Sequence, residues 1–176
     1  MPFDPNQYGP EVARLLAFDG SGERLMPLAG GRCCSEPALR ELKSLGTGLF
    51  PDARAPEAAL AGLYLYFSCA SEAHEIAQDI KTPDGSFWHA ILHRQEPDAA
   101  NAAYWFRRAG SHPVFPALAE AARGKAGLDA PWDPFRFIDV CEQARQKPGS
   151  DLERTALEIQ RAEWQLLFDH CARGRR

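Results

Sequence analysis

The sequence predicts an all-α, single-domain protein, an irregular bundle of six to eight helices. Three observations favour this fold class. Apolar residues recur at offsets of three and four along residues 56–171, which is the spacing of one helix face. Residues that cap helix N-termini precede several of these runs. No segment alternates apolar and polar residues as a half-buried strand would. The length of 176 residues is that of one domain.

The first 55 residues differ from the rest because glycine and proline interrupt them repeatedly, as at Gly30-Gly31. Such residues break regular structure. We therefore expect residues 1–55 to form a Pro/Gly-rich segment wrapped on the body of the same domain. One short helix is expected after Ser35, because this N-cap residue and Pro37 precede leucines spaced three apart.

The helical core is expected to span residues 56–172, followed by a basic, frayed tail at 173–176. An apolar stripe over 60–77 has the helical period, and it fits either one long helix or two helices joined near 68–71. Residues 81–85 are predicted to form a turn, because proline fixes φ and glycine accepts positive φ.

Five further helices are predicted from the residue that caps or starts each of them. They cover 86–95 after the turn, 99–108 capped by Asp98, 112–123 started by His112-Pro113, a segment started by Asp133-Pro134, and a long helix opened by Ser150. Ser150 and Glu153 have the spacing of a capping box, in which each side chain satisfies a free backbone N–H of the first turn.

Charge and hydropathy exclude two classes of partner. The net charge is −4 and no long basic run occurs, whereas nucleic-acid binding depends on many Lys and Arg side chains. No apolar run reaches the ~18 residues of a membrane span. We therefore expect no nucleic-acid partner and no membrane partner.

The five cysteines are an odd number and include no CxxC spacing, which excludes a complete set of disulfides within one chain. The adjacent Cys33 and Cys34 are compatible with redox activity, but free buried thiols are the preferred interpretation. The first residues also lack the basic and apolar regions of a secretion signal. We therefore expect a cytoplasmic location.

Four of the five histidines lie between positions 74 and 112. On the predicted helix 86–95, His89, His93 and Glu96 share a face beside the apolar stripe. The i, i+4 spacing of the two histidines allows both imidazoles to bind one metal ion. His74 and His112 lie on neighbouring segments joined by short turns, so we expect all four histidines to converge on one pocket.

The sequence therefore predicts a His-rich cleft that binds a small ligand or a divalent transition metal such as Zn or Fe. The predicted pocket residues are His74, His89, His93, Glu96, His112, Arg94 and Trp105. Metal ligands are expected to be His89 and His93 with His74 or His112, and a metal-bound water makes hydrolysis the default reaction. In the alternative interpretation the histidines are structural, and the Tyr104–Arg108 face of a non-catalytic interaction module meets a partner protein.

Two resemblances extend this interpretation. Residues 101–110, NAAYWFRRAG, resemble the second helix of a Sel1- or tetratricopeptide-type repeat. No second copy follows at the ~34-residue period of such arrays, so we expect a bundle and not a solenoid. The wider block, which runs from 72–74 (EAH) through 87–98 (FWHAILHRQEPD) to His112-Pro113, resembles a family of bacterial all-helical proteins of uncharacterised function. That resemblance implies a helical bacterial protein and carries no activity.

Overall fold

The computed structural model describes residues 3–128 and 131–174. These residues form one all-α domain of nine helices and contain no strand, which confirms the predicted fold class. The helices are α1 (Pro10–Leu16), α2 (Glu36–Leu45), α3 (Pro56–Tyr66), α4 (Ala70–Ala77), α5 (Pro83–Gln95), α6 (Ala99–Ala109), α7 (Phe115–Ala122), α8 (Pro134–Arg145) and α9 (Asp151–Ala172). In the part of the chain that is described, no helix combines the length and apolar character of a membrane span.

Helices α3 and α5 lie at the centre of the bundle. Every residue of α3 from Ala58 to Tyr66 is buried, and α5 packs against α3, α4 and α6. The long helix α9 crosses α3 and also contacts α7 and α8. The indole N–H of Trp164 on α9 donates a hydrogen bond of 2.8 Å to the carbonyl of Gly62, which ties α9 to α3. The two central helices are therefore covered on all sides, and α5 carries three of the seven predicted pocket residues, His89, His93 and Arg94.

The apolar stripe over 60–77 belongs to two helices, the second of the two arrangements that the sequence allowed. The chain turns between α3 and α4, where Ser68 has a φ of 58°, in the left-handed region. The turn predicted over 81–85 is wrong for its last three residues, because α5 already begins at Pro83. The Thr82 hydroxyl accepts a hydrogen bond from the Gly85 N–H at 3.4 Å, and proline is well suited to a first helical position.

The helix caps predicted from the sequence are present, and each is made by residues close together in the chain. The side chains of Asp98, Asp133 and Ser150 each accept a backbone N–H from the first turn of α6, α8 and α9. The capping box of α9 differs in one detail. The Glu153 carboxylate accepts the N–H of Gly149, at 2.6 Å, and not that of Ser150. The start of a helix is therefore predictable where its hydrogen bonds join residues two to four apart.

The N-terminal segment packs on the core through α3. The Tyr66 hydroxyl accepts a hydrogen bond from the Gly22 N–H at 3.0 Å. The predicted fraying at 173–176 is wrong for its first two residues, because the carbonyl of Arg173 accepts the N–H of Arg54 at 2.7 Å and Gly174 pairs with Ala53. Residues 175 and 176 lie outside the described residues.

The expectation of free thiols is wrong for two of the five cysteines, because Cys33 and Cys69 are joined by a disulfide. A backbone hydrogen bond of 2.8 Å from the Cys34 N–H to the Phe67 carbonyl holds the two segments together. Sequence spacing gave no sign of this contact across 36 residues. Disulfides are typical of oxidising compartments, so the cysteines no longer support a cytoplasmic location. Cys141 and Cys171 are buried free thiols, and Cys34 is exposed.

Gly62 is required by the contact between α3 and α5. A Cβ at this position would lie 2.7 Å from Cζ2 of Trp88, a residue of α5 with almost no exposed surface. We expect Gly62→Ala to lower the free energy of unfolding by about 1–3 kcal/mol, because overpacking outweighs the gain in helix propensity. Urea denaturation followed by circular dichroism measures the change. Gly48→Ala is the control, since its Cβ would meet no atom within 4 Å, and an equal effect of both substitutions would contradict the packing argument.

Candidate functional site

Three of the predicted histidines meet in one group, here called the three-histidine cluster: His74 on α4, and His89 and His93 on α5. Nε2 of His74 lies 3.0 Å from Nε2 of His89. The ring centroids of His89 and His93 are 4.8 Å apart, and those of His74 and His93 are 5.6 Å apart. One ligand atom from each ring falls within 4.8 Å of the other two. The i, i+4 pair on α5 is therefore completed by a third imidazole from the preceding helix.

The cluster is covered by α4 and α6, and so does not face solvent beside an apolar stripe. His89 is only 3% exposed, and its ring stacks on the indole of Trp105 from α6 at a centroid distance of 4.0 Å. The guanidinium of Arg108 lies 5.3 Å from the centroid of the Trp105 ring. Of the aromatic residues 104–106, Trp105 thus packs on the cluster, Phe106 enters the core and Tyr104 is exposed.

The electrostatics of the cluster favour a neutral imidazole at His89. Burial, followed by the nearby rings of His74 and His93, lowers the pKa of His89 to about 4. His89 is therefore uncharged at pH 7, and an uncharged imidazole has the lone pair that a metal ion needs. In the described part of the chain, its buried Nδ1 also has no hydrogen-bond partner.

Glu96 lies beside the cluster at the C-terminus of α5. Its Oε2 is 3.0 Å from Nδ1 of His93, an ion-pair distance, but the two atoms do not form a hydrogen bond. The carboxylate is 44% exposed, whereas the His93 side chain is 11% exposed. A carboxylate at Nδ1 favours the tautomer whose Nε2 is free to bind a metal. The position of Glu96 thus fits a residue that orients His93.

His112 lies in a second group, here called the Asp84 cluster, with Asp84 and His170. It precedes α7, which begins at Phe115 and not at the predicted position 112. Nε2 of His112 lies 3.0 Å from Oδ1 of Asp84, and Nε2 of His170 lies 3.2 Å from the same oxygen. All five histidines of the chain therefore belong to two clusters, three in one and two in the other.

Arg94 belongs to the bundle interior. Its guanidinium donates hydrogen bonds to both carboxylate oxygens of Glu163 and to Oε1 of Gln160, on α9. It also lies 4.5 Å from the centroid of the Phe137 ring. Arg94 and Glu163 are almost completely buried. The structure therefore places Arg94 in an ion pair between α5 and α9, apart from the three-histidine cluster that its neighbour His93 joins.

Sequence reasoning missed Asp84 and His170. Asp84 was assigned to a turn, and an acidic residue in the first turn of a helix needs no further explanation. His170 lies in the last turn of α9, where a basic side chain is equally common. Their contact joins positions 86 residues apart in the chain, so no local spacing could have revealed it.

Both clusters have donor atoms that suit divalent transition metals, since imidazole binds Zn, Cu, Fe and Ni, and a carboxylate adds a harder ligand. The chemistry of these side chains is the main guide to function, because the chain has no match among family models, curated proteins or solved structures.

Proposed function

We propose that the three-histidine cluster binds one divalent transition-metal ion and that this centre is the functional site of the protein. The observation that carries the proposal is the convergence of His74, His89 and His93, one ligand atom from each lying within 4.8 Å of the others. A hydrogen bond between two imidazoles explains why His74 and His89 are in contact. It does not explain why a third imidazole, that of His93, lies beside the same pair.

The spacing of the donor atoms suits a metal ion. Zn–N bonds are about 2.1 Å long, so two nitrogens on one ion are about 3.4 Å apart in a tetrahedron and about 3.0 Å apart in an octahedron. The distance between Nε2 of His74 and Nε2 of His89 is 3.0 Å. The donor atom of the third ring lies within 4.8 Å of the other two, so the ring of His93 moves inward when the shell closes.

The surroundings support the same assignment. The Trp105 ring fixes the plane of His89 by stacking on it, and Glu96 stands at Nδ1 of His93. Partners of this kind hold metal-binding imidazoles in one tautomer and orientation, and they raise metal affinity. The cluster has both a set of ligands and the contacts that orient them.

Hydrolysis is the reaction class that fits these ligands. Three neutral imidazoles leave the full charge of the ion uncompensated and a fourth position open, and a metal-bound water then has a pKa near 7. The alternative function, a partner-binding module, has less support. Of the aromatic residues 104–106 only Tyr104 is exposed, so that face offers little apolar surface to a partner.

Metal analysis tests the proposal. Protein purified without chelators or a His-tag should contain Zn, Fe or another transition metal at the stoichiometric level. Added metal at about 100 times its Kd should stabilise the fold by about 2.7 kcal/mol, a rise in Tm of about 5–11 °C. His74→Gln should lose most of this rise, because it removes a half-buried ligand from α4.

The opposite outcome is equally clear. If the wild type holds no metal and gains no stability from Zn, Fe, Mn or Ni, the histidines are structural and the interaction-module interpretation replaces the proposal. The reaction class is tested with activated ester and phosphoester substrates. The Zn-loaded wild type should hydrolyse at least one of them faster than His74→Gln does.

A further inference from the structure

The Asp84 cluster is built from three segments that are distant in sequence. Asp84 lies in the first turn of α5, His112 in the connection between α6 and α7, and His170 in the last turn of α9. Oδ1 of Asp84 is 3.0 Å from Nε2 of His112 and 3.2 Å from Nε2 of His170. One carboxylate oxygen thus faces two imidazoles, and each imidazole faces it with its Nε2 atom.

The surrounding contacts fix the rings in place. The His112 ring lies edge-on to Phe87, at a centroid distance of 5.0 Å, and its side chain has no exposed surface. The His170 ring is 5.1 Å from that of His112. Three ligand atoms, one from each residue, lie within 4.8 Å of one another. The convergence is therefore a property of the packed core and not of mobile surface side chains.

Hydrogen bonding accounts for only part of this arrangement. The Val114 N–H donates to Nδ1 of His112 at 3.4 Å, and Nε2 of His112 can donate to Asp84. His170 takes no part in these hydrogen bonds. Its Nε2 is buried and has no hydrogen-bond partner among the described residues, although Asp84 Oδ1 is 3.2 Å away. A purely structural Asp–His pair gives this nitrogen no role.

Charge favours a cation between these groups. Asp84 supplies the carboxylate of the cluster, and its Oδ1 faces Nε2 of both histidines. One anionic oxygen and two imidazoles therefore face the same small space.

The cluster is also reachable from solvent. Asp84 borders a cleft of about 450 Å³ that Arg54 and Thr82 also line. His112 borders a second cleft, of about 720 Å³, on the side of Trp132. The Asp84 side chain is 13% exposed, whereas that of His112 is fully covered, so the first cleft is the entry route for an ion at Asp84.

We propose that Asp84, His112 and His170 form a second metal site, which binds a divalent first-row transition ion through one carboxylate and two imidazoles. The two donor separations at Asp84 fall within the range of about 3.0–3.4 Å expected for adjacent ligands of one ion. Two histidines and one carboxylate are the ligand set typical of non-haem Fe(II). On binding, the Nε2–H proton of His112 moves to Nδ1, and the contact with the Val114 N–H is given up.

The experiment counts ions per chain. Metal-free protein is titrated anaerobically with Fe(II), and separately with Co(II), while bound metal is measured after desalting. Wild type should bind two ions. His74→Gln/His93→Gln should bind one, held by the Asp84 cluster. Adding Asp84→Asn to that variant should weaken the remaining binding more than about 100-fold, because a ligand contributes more than the outer partners of a site do.

Two further variants make the result decisive. Asp79→Asn changes an exposed carboxylate close to the start of α5 and should leave the count at two. His170→Gln removes a ligand but preserves the bonds among Val114, His112 and Asp84, so loss of one ion without loss of fold supports the proposal even if Asp84→Asn unfolds. The proposal is overturned if His170→Gln leaves the count unchanged, or if wild type binds one ion that His74→Gln/His93→Gln abolishes. If instead the three-histidine cluster does not bind metal, wild type should bind one ion per chain. That ion should be lost only in variants of the Asp84 cluster.

Discussion

Glu163→Gln should lower the Tm by about 6–20 °C, because it removes one charge of a fully buried ion pair. Arg94 and Glu163 are 1% and 0% exposed, and the guanidinium bonds both carboxylate oxygens. Removing one charge leaves the other buried without compensation, which costs about 3–5 kcal/mol. Each kcal/mol corresponds to about 2–4 °C in a domain of this size. Thermal unfolding followed by circular dichroism measures the shift.

The pair also connects distant parts of the chain. Gln160, which accepts a hydrogen bond from Arg94, donates to the carbonyls of Met26 and Pro27. We therefore expect Glu163→Gln to loosen the N-terminal segment as well as the contact between α5 and α9. Hydrogen exchange of the amides around Met26 would detect this loosening.

Two controls separate charge from packing. Arg94→Met/Glu163→Leu removes both charges and keeps apolar volume, so it should cost less than Glu163→Gln alone. Glu120→Gln breaks an exposed ion pair with Arg123 on α7, and its effect should stay below about 1 kcal/mol. A Tm unchanged by Glu163→Gln would show that the buried pair contributes little to stability.

The elements that the sequence predicted well depend on local interactions. The caps at Asp98, Asp133 and Ser150 are hydrogen bonds to residues two or three positions ahead, so the residue types in order contain the necessary information. The helical period of 60–77 also follows from neighbouring side chains. The period did not decide between one helix and two helices joined near 68–71, because that depends on a positive φ at Ser68, which a serine rarely adopts.

The site was harder to predict because α5 is buried around almost its whole circumference. On such a helix, adjacent residues face different neighbours: His93 points to α4, and Arg94 points to α9. Periodicity separates an apolar face from a polar one, but it does not say which neighbouring helix covers each face. The histidines of α5 were therefore identified correctly as a pair, whereas the partners of Arg94 and His112 depend on long-range packing.

His89→Ala/His93→Ala should abolish metal binding at the three-histidine cluster, together with the rise in Tm that metal binding at this cluster causes. A single remaining imidazole, that of His74, cannot hold an ion against water. Isothermal titration with Zn(II) should show a loss of one high-affinity site per chain. Arg108→Gln is the matched control, because Arg108 contacts Trp105 behind the cluster but offers no ligand.

From the sequence position of both histidines beside the apolar stripe, this double substitution would be expected to cost little stability. The structure corrects that expectation, because His89 is 3% exposed and stacks on Trp105. Truncating it to alanine opens a cavity against the indole and should cost on the order of 1–3 kcal/mol without metal. Circular dichroism must therefore confirm that the variant is folded before its metal content is interpreted. If the double variant is unfolded, the single variant His93→Gln is used instead. An unchanged affinity of His93→Gln for Zn(II) would contradict the assignment of His93 as a ligand.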